Sequence, residues 1–321
     1  MSQTLTGPAA RPAVAGRLVI AMAIASLVAN IGIVVTGGAV RLTASGLGCP
    51  EWPLCTADSL VATPEMGVHG IIEFGNRLLT FVLTAIAFGT VAAVWKLRRA
   101  RRDLWWLSIG LLAGIPAQAF IGGITVWTGL NPWVVGLHFI VSMILIVFAT
   151  VMVNRARLGE AQLAAQDGPL APSAMRPLLW TIGVLAAITV VLGVIVTGSG
   201  PHAGDHGAAR NGLDPDLWTR IHVVPVYLLV FAIAVALYLA WRRPADPRLR
   251  RALVLMTAVT LLQAVIGYAQ HFLALPIALV ALHMLGASLL AAAAAQLVFT
   301  GVARRIPGRA GAETGKAAAA R

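Results

Sequence analysis

The sequence predicts an all-α integral membrane protein with eight transmembrane helices, arranged as two pseudo-symmetric four-helix bundles with both termini in the cytoplasm. Two observations predict the membrane: 59% of the 321 residues are hydrophobic and only 11% are charged, and the mean hydropathy is +0.84. So much apolar surface cannot be hidden in one water-soluble core of this length. A third observation, an internal repeat, predicts the two bundles.

Eight apolar runs are each long enough to cross about 30 Å of hydrocarbon as a helix. They cover residues 18–40, 70–95, 104–127, 133–153, 178–198, 218–240, 252–273 and 277–301. The first run is too long for the core of a signal peptide and lacks a small-residue cleavage site followed by a soluble domain. We therefore expect it to be a helix.

The basic residues predict the orientation of the helices. Of the 24 Lys and Arg, all but Arg41, Arg77, Arg210 and Arg220 lie in the two terminal tails or in alternate loops. By the positive-inside rule these segments are cytoplasmic. The net charge of +12 is therefore interpreted as a topology signal. Nucleic-acid binding is disfavoured, because the charge is spread over several inner segments and forms no single stripe.

The internal repeat pairs the two halves of the chain. The segment QAFIGGITVWTGLNPWVVGLH from Gln118 aligns with QAVIGYAQHFLALPIALVALH from Gln263, which places His138 on His283. IVVTGG at 33–38 resembles VIVTGS at 194–199 at a larger offset, which locates an insertion in the first outer loop of the first half. Each half has an even number of helices, so the copies share one orientation, unlike the inverted repeats of many transporters.

These patterns divide the chain into five segments. We expect a cytoplasmic tail (1–16), a first four-helix half (17–155) with an outer loop (41–68), a cytoplasmic linker (156–176), a second four-helix half (177–301) and a disordered cytoplasmic tail (302–321).

The only two cysteines, Cys49 and Cys55, lie in the outer loop, within GLGCPEWPLC. Disulfides persist on the outer side of a cell membrane, so we expect these two residues to be bonded. Two alternatives stay open. The thiols could be unpaired, or they could belong to a Cys-x5-Cys metal site, although the neighbouring sequence offers few further ligands.

All seven histidines lie in outer loops or in the outer halves of helices on this topology. His138 and His283 occupy equivalent positions about 9–10 Å inside the membrane boundary, and His222 lies at a similar depth. An intramembrane imidazole is expensive and usually functional. A lone one could be a packing hydrogen-bond donor, but the repeated pattern favours axial ligation of a haem. Small residues would let a flat macrocycle approach or simply pack the helices: Gly122, Gly123, Gly136, Gly267 and Gly286.

The helix in the first half that corresponds to the helix of His222 carries Asn76 at the matching position. His69, Glu73 and Asn76 are spaced i, i+4 and i+7 and share one face of that helix. A carboxylate in a membrane span costs free energy, so it is expected to have a partner or a function. Glu73 either pairs with Arg77 at i+4 or faces a reaction centre.

The two-half plan, the paired outer histidines and two motifs resemble the heme A synthase family. The motifs are the loop SGLGCPEWPLC and the pattern E-x-x-[HN]-R, present here as Glu73, Asn76 and Arg77. The resemblance covers roughly residues 17–301. It implies a multi-pass protein of the cell membrane, an oxidoreductase that converts the C8 methyl group of haem O to the formyl group of haem A for cytochrome oxidase.

The resemblance also implies the site residues. In that family the second half holds haem b, which corresponds here to ligation of the iron by His222 and His283. The first half would bind the substrate haem at Glu73, Asn76 and His138, with His138 on the iron and Glu73 catalytic. Asn76 departs from the pattern, because many members have histidine there. Arg77 and Arg220 are candidate partners of the haem propionates or, equally, interfacial anchors.

The implied partners are haem O and haem A, haem O synthase, cytochrome oxidase assembly factors, the lipid bilayer and a possible second copy of the chain. The histidines and the cysteine loop would face the outer side. Two other classes stay open. A haem b electron carrier of the transmembrane type would use complete histidine pairs near both faces, and a transporter would explain eight spans and Glu73 but not the histidine pattern.

Overall fold

A computed structural model describes residues 14–158, 170–242 and 245–302. Within these ranges eight helices are each long and apolar enough to span a membrane. They are α1 Arg17–Leu42, α2 Gly67–Val94, α3 Arg102–Trp127, α4 Pro132–Ala156, α5 Arg176–Ser199, α6 Pro215–Arg242, α7 Pro247–Phe272 and α8 Ile277–Gly301. The only β pairing in these ranges is an isolated bridge between Thr56 and Ser59. The predicted all-α class with eight spans is confirmed.

Three predicted segments lie wholly or partly outside the described residues. They are the tail at 1–16, the linker at 156–176 and the tail at 302–321. The residues of these segments that are not described are 1–13, 159–169 and 303–321. The predicted disorder of the last tail therefore stays a prediction.

Three helices begin with a proline that follows a capping side chain. The pairs are Asn131–Pro132, Asp214–Pro215 and Asp246–Pro247, and each Asn or Asp accepts a hydrogen bond from a backbone N–H two residues further on. Proline suits the first helical position because its missing N–H would have no helical partner there. α7 therefore begins at Pro247, earlier than residue 252, where the apolar run begins.

Each half forms a ring of four helices. In the first half α1 and α3 each pack against both α2 and α4, and in the second half α5 and α7 each pack against both α6 and α8. α2 and α4 are thus diagonal partners, as are α6 and α8. The halves meet where α8 contacts α1 and α4 and where α4 contacts α5. These contacts are compatible with the predicted repeat, whose symmetry axis stays a prediction.

The buried apolar core lies at one end of each ring. In the first half it joins Val19 and Val94 to Leu104 and Met152, from the start of α1, the end of α2, the start of α3 and the end of α4. A matching cluster in the second half includes Leu179, Ile182, Leu253, Met256 and Leu297. We call this the core end. The opposite end, which carries the loops 43–66, 128–131, 200–214 and 273–276, is the cysteine-loop end.

The outside of the bundle is apolar. Phe81, Phe231 and Phe272 are 72%, 70% and 78% exposed, a pattern that suits contact with lipid chains. Because lipid is as apolar as the core, close packing holds the helices together. Gly301 shows how close this packing is, since a Cβ there would overlap the Leu179 side chain.

A buried ion network closes the core end of the first half. The carboxylate of Asp103, at the start of α3, lies 3.0 Å from the Arg101 guanidinium and 3.5 Å from that of Arg155, near the end of α4. Arg101 also donates to the Arg155 carbonyl at 2.8 Å. The side chains of Arg101 and Asp103 are only 3% and 5% exposed. The network therefore joins two neighbouring helices away from solvent.

Asp103→Asn should destabilise the folded protein in detergent by about 3–5 kcal/mol, because it leaves two buried guanidinium groups without this carboxylate. Thermal unfolding followed by circular dichroism measures the effect. The control is Asp58→Asn, at an exposed position in the cysteine loop. Equal melting temperatures for the two variants would contradict this account.

Candidate functional site

All seven histidines lie at the cysteine-loop end, where the apolar cores do not reach. They are His69, His138, His202, His206, His222, His271 and His283. Three of them point between helices, and the other four belong to loops or helix ends. The predicted clustering of histidines at one end is therefore present in the fold.

His222 lies on α6 and His283 on its diagonal partner α8. Each ring rests against a glycine of a neighbouring helix. A Cβ on Gly193 would lie 3.1 Å from Cε1 of His222, and one on Gly267 would lie 3.4 Å from Cε1 of His283. Larger residues at these glycines would therefore push the rings out of place.

His138 on α4 has the same surroundings in the first half. A Cβ on Gly122 would lie 3.4 Å from its Cε1, as for Gly267 and His283. The Gln118 amide donates to the His138 carbonyl at 3.1 Å, and the Gln263 amide donates to the His283 carbonyl at 3.0 Å. These matched contacts support the register of the repeat, and each glutamine forms a hydrogen bond to a neighbouring helix.

The three intramembrane histidines share an unusual hydrogen-bonding state. Nδ1 of His138, His222 and His283 is enclosed by protein and makes no hydrogen bond in the described part of the chain. A buried polar atom without a partner costs free energy. Because Nδ1 is enclosed in each ring, Nε2 is the nitrogen left to contact a ligand.

This arrangement fits a haem better than a bare metal ion. Among the described residues no group of three or more His, Cys, Asp and Glu could hold an ion. Haem iron already has four ring nitrogens and takes only axial ligands from the protein, for which imidazole is suited. Two histidines on diagonal helices, with glycines beside their rings, meet that need in the second half. The first half offers one histidine of this enclosed kind, His138.

Asn76 lies at the position that the predicted repeat matches with His222. It lies on α2, the diagonal partner of α4, and its Oδ1 lies 2.7 Å from the Thr36 hydroxyl of α1. Sequence reasoning missed Thr36, although it stands in the repeated IVVTGG segment, because a pattern along one helix does not show which residue of the next helix it meets. The amide of Asn76 is thus oriented by a neighbouring helix.

Glu73 is buried, at 6% exposure, and both of its carboxylate oxygens are engaged. Oε2 accepts a hydrogen bond from the backbone N–H of Cys49 at 2.7 Å. Oε1 accepts from Arg77, with Nη2 at 2.6 Å and Nε at 3.1 Å. The Glu73–Arg77 pair that the spacing allowed is therefore present, and a contact with the cysteine loop, which no local pattern indicates, is added to it.

Arg77 holds the cysteine loop by its backbone. Besides Glu73, it donates to the carbonyls of Glu51, Leu54 and Cys49 at 2.9–3.0 Å. Its N–H groups are all directed at protein acceptors, which supports a role in positioning the loop. The predicted contact between Arg77 and a haem propionate stays a prediction.

The cysteine loop folds over the open end of the first half. Cys49 and Cys55 are fully buried and bonded to each other, which confirms the predicted disulfide. The Trp52 ring occupies the space above Gly123, where a Cβ would come within 2.5 Å of it. Trp127 donates its indole N–H to the Trp52 carbonyl at 3.1 Å, and the two rings meet edge to face. Gly123 is therefore needed to seat the loop.

The two arginines at the ends of α1 and α6 differ in their surroundings. Arg41 joins the two halves, since it donates to the carbonyls of His202 at 2.7 Å and Thr197 at 3.0 Å. Arg220 is exposed and forms no ion pair within the described ranges. Two arginines, Arg77 and Arg220, are predicted to bind propionates. Because the N–H groups of Arg77 are all directed at protein acceptors, Arg220 is the better placed of the two to reach a ligand.

The remaining histidines line the loops. His69 Nδ1 lies 2.9 Å from the Ser45 hydroxyl, and His202 Nε2 lies 3.0 Å from the Leu275 carbonyl. His206 and His69 border a cavity of about 340 Å³ between the cysteine-loop end of the first half and the loop 200–214. His271 contacts the ring of Phe272. His69 and His202 thus have hydrogen-bond partners in the loops, and His271 contacts a neighbour on its own helix.

Comparison with known proteins agrees with this geometry. Residues 21–295 match the model of a family described as cytochrome oxidase assembly protein. Among curated proteins, heme A synthase of Bacillus pumilus is 38% identical over 132 residues, covering 40% of this chain and 41% of the relative.

Two further relatives carry the same name. Heme A synthase of Geobacillus kaustophilus is 31% identical and that of Staphylococcus epidermidis 27% identical, covering 45% and 50% of this chain and 46% and 52% of the relatives. The chain spans about half the length of the curated relatives it matches. The family model, by contrast, covers both four-helix halves and every residue of the candidate site, and the chain belongs to the cytochrome oxidase assembly protein family.

Proposed function

We propose that the protein is a heme A synthase, a membrane oxidoreductase that converts the C8 methyl group of haem O to the formyl group of haem A. The curated relatives carry that name, and the family is one of cytochrome oxidase assembly. The observation that carries the proposal is that the two halves differ in the residues on their diagonal helices. The second half has His222 and His283 there, whereas the first half has His138 and Asn76.

The second half would hold a haem b cofactor. His222 and His283, from α6 and α8, would supply both axial ligands through Nε2, because their Nδ1 atoms are enclosed. A pair of histidines leaves no free axial position, which suits transfer of electrons and not binding of substrate. Arg220 would bind a propionate of this haem through charge-assisted hydrogen bonds.

The first half would bind haem O, with His138 as the axial ligand. Conversion of a methyl to a formyl group adds one oxygen atom and removes two hydrogen atoms, and the haem iron, when bound, supplies the redox chemistry that side chains lack. The chain contributes position and shelter. Gly122 leaves room beside the His138 ring, and the cysteine loop with Trp52 covers the opening above it.

Glu73 is the residue that would act on protons. It lies one helical turn from Asn76 on the same face of α2, so it would lie close to the substrate haem without ligating the iron. Its carboxylate would accept a proton as the methyl group is oxidised, while Arg77 and the Cys49 N–H hold it in place. Loss of one of these hydrogen bonds would free an oxygen for that step.

The proposed orientation follows the basic residues. Both termini would lie in the cytoplasm, with the cysteine loop, the disulfide and both haem positions towards the outer side of the cell membrane. Haem O synthase would supply the substrate, and cytochrome oxidase assembly factors would receive haem A.

Purified protein separates this function from its rivals. A haem absorption spectrum is expected, together with conversion of added haem O to haem A when an electron donor and oxygen are present. Absence of any haem would favour a transporter, and haem without conversion would favour an electron carrier.

His222→Ala and His283→Ala should each abolish the low-spin absorption spectrum of the copurified haem b, because each removes one of two axial ligands. Visible and electron paramagnetic resonance spectra of the purified protein measure this. His271→Ala, at the end of α7, is the matched control and should retain the spectrum. An unchanged spectrum in both site variants would refute the pairing.

Glu73→Gln should lower conversion of haem O by about 10²-fold or more, since it keeps the size of the side chain but removes its charge and proton capacity. The measurement is haem A formed per mole of haem b in membranes supplied with haem O. Glu65→Gln, exposed ahead of α2, is the control.

A purely structural role for the Glu73–Arg77 pair predicts a different result. Yield and thermal stability would fall, while conversion per mole of haem b stayed near normal. That outcome would remove Glu73 from the chemistry and leave it as a support of the cysteine loop.

A further inference from the structure

We infer that Asn76 does not replace histidine as an iron ligand but directs its amide N–H, oriented by Thr36, at an open axial position of the haem bound in the first half. This inference rests on the proposed function, because it requires haem in that half. It assigns a binding site for a small iron ligand, such as a diatomic gas or water, that can accept a hydrogen bond.

The orientation of the amide follows from the contacts of Thr36. Its hydroxyl lies 2.7 Å from Oδ1 of Asn76, but 3.2 Å and 3.3 Å from the carbonyls of Ile33 and Gly32. A distance of 2.7 Å is typical of an O–H···O hydrogen bond, whereas the other two are long for one. The single hydroxyl proton therefore points to Asn76, and the Asn76 oxygen is the acceptor.

The amide nitrogen is consequently the free end of the side chain. An amide N–H₂ group is a donor with no lone pair for a metal, so it cannot ligate iron. Nδ2 of Asn76 lies 3.8 Å from the position of a Cβ on Gly37, an ordinary contact, and it is not among the enclosed polar atoms without a partner. It therefore borders free space and can reach a ligand there.

The equivalent position in the second half shows what that space is. There the His222 ring extends to Gly193, where a Cβ would lie 3.1 Å from it. Gly32 is the counterpart of Gly193 in the repeat, and a Cβ on Gly32 would meet nothing within 4 Å. The shorter asparagine thus leaves unfilled the volume that the histidine ring fills in the other half.

The open space beside Asn76 and its oriented amide N–H together favour binding of a small iron ligand. His138 holds the iron from α4, and no second protein ligand completes its coordination from α2. A small molecule can bind the iron there and accept a hydrogen bond from the Asn76 N–H. In the second half, His222 and His283 leave no such position. The two haem positions of one chain would therefore differ in ligand binding because of one substitution and its neighbour Thr36.

Carbon monoxide added to the reduced, oxygen-free protein loaded with haem O tests this inference without turnover. We expect carbon monoxide to bind one haem per chain, the haem held by His138. This binding should be absent in His138→Ala. Asn76→His should abolish that binding and convert the haem to a low-spin form, because it completes a histidine pair.

The infrared stretching frequency of the bound carbon monoxide reports the hydrogen bond. Asn76→Leu should shift it to higher frequency, because the donor is gone. Thr36→Val should shift it in the same direction by freeing the amide to rotate, whereas Thr36→Ser should retain the original band. Thr84→Val is the matched control, since the Thr84 hydroxyl bonds only to its own helix, at the Thr80 carbonyl.

Each negative result has a distinct meaning. If haem O binds but carbon monoxide does not, or if Asn76→Leu leaves the stretching frequency unchanged, the inference is wrong and the proposed function stands. If no haem O binds and His138→Ala changes nothing, both the inference and the proposed function fail. A loss of stability in Thr36→Val with an unchanged band would reduce Thr36 to a packing residue.

Discussion

The structure depends on where the close packing of each helix ring is concentrated. The largest buried apolar clusters lie at the core end, and the buried histidines lie at the opposite end. The core end supplies the close packing, through Leu104 and Met152 in one half and Leu253 and Leu297 in the other. Because stability is concentrated there, the cysteine-loop end can keep histidine side chains whose buried Nδ1 atoms make no hydrogen bond in the described part of the chain.

The two halves use the same ring for different purposes. Both keep a glutamine that donates to the carbonyl of a histidine one helix away, and both keep a glycine beside that histidine ring. They differ on the diagonal helix, where His222 fills its space and Asn76 does not. The proposed division between electron transfer and substrate oxidation therefore needs no change in the helix arrangement. It needs only a different residue at one position, histidine at 222 and asparagine at 76.

The first half also carries a structure that the second lacks, the cysteine loop, and this loop is joined directly to the residue proposed for proton transfer. Glu73 accepts the Cys49 N–H, and Arg77 bonds both to Glu73 and to three loop carbonyls. The carboxylate and the cover over the site thus share one hydrogen-bonded network. A change in the loop would alter the surroundings of Glu73 without touching the haem position itself.

The sequence by itself determined the eight helices, because apolar run length is a local signal. It indicated the repeat and a disulfide between Cys49 and Cys55, from a histidine recurring at one offset and from two cysteines in a loop expected on the outer side. It also indicated the Glu73–Arg77 pair, which is an i, i+4 neighbour on one helix. Only the tertiary structure decided that Thr36 orients Asn76, that Glu73 reaches the Cys49 N–H and that Trp52 lies over Gly123. These partners are far apart in the chain, 40 residues for Thr36 and Asn76 and 24 for Cys49 and Glu73. Some are backbone groups, which every residue has and no residue type marks, so their choice depends on how the helices rotate and pack against one another.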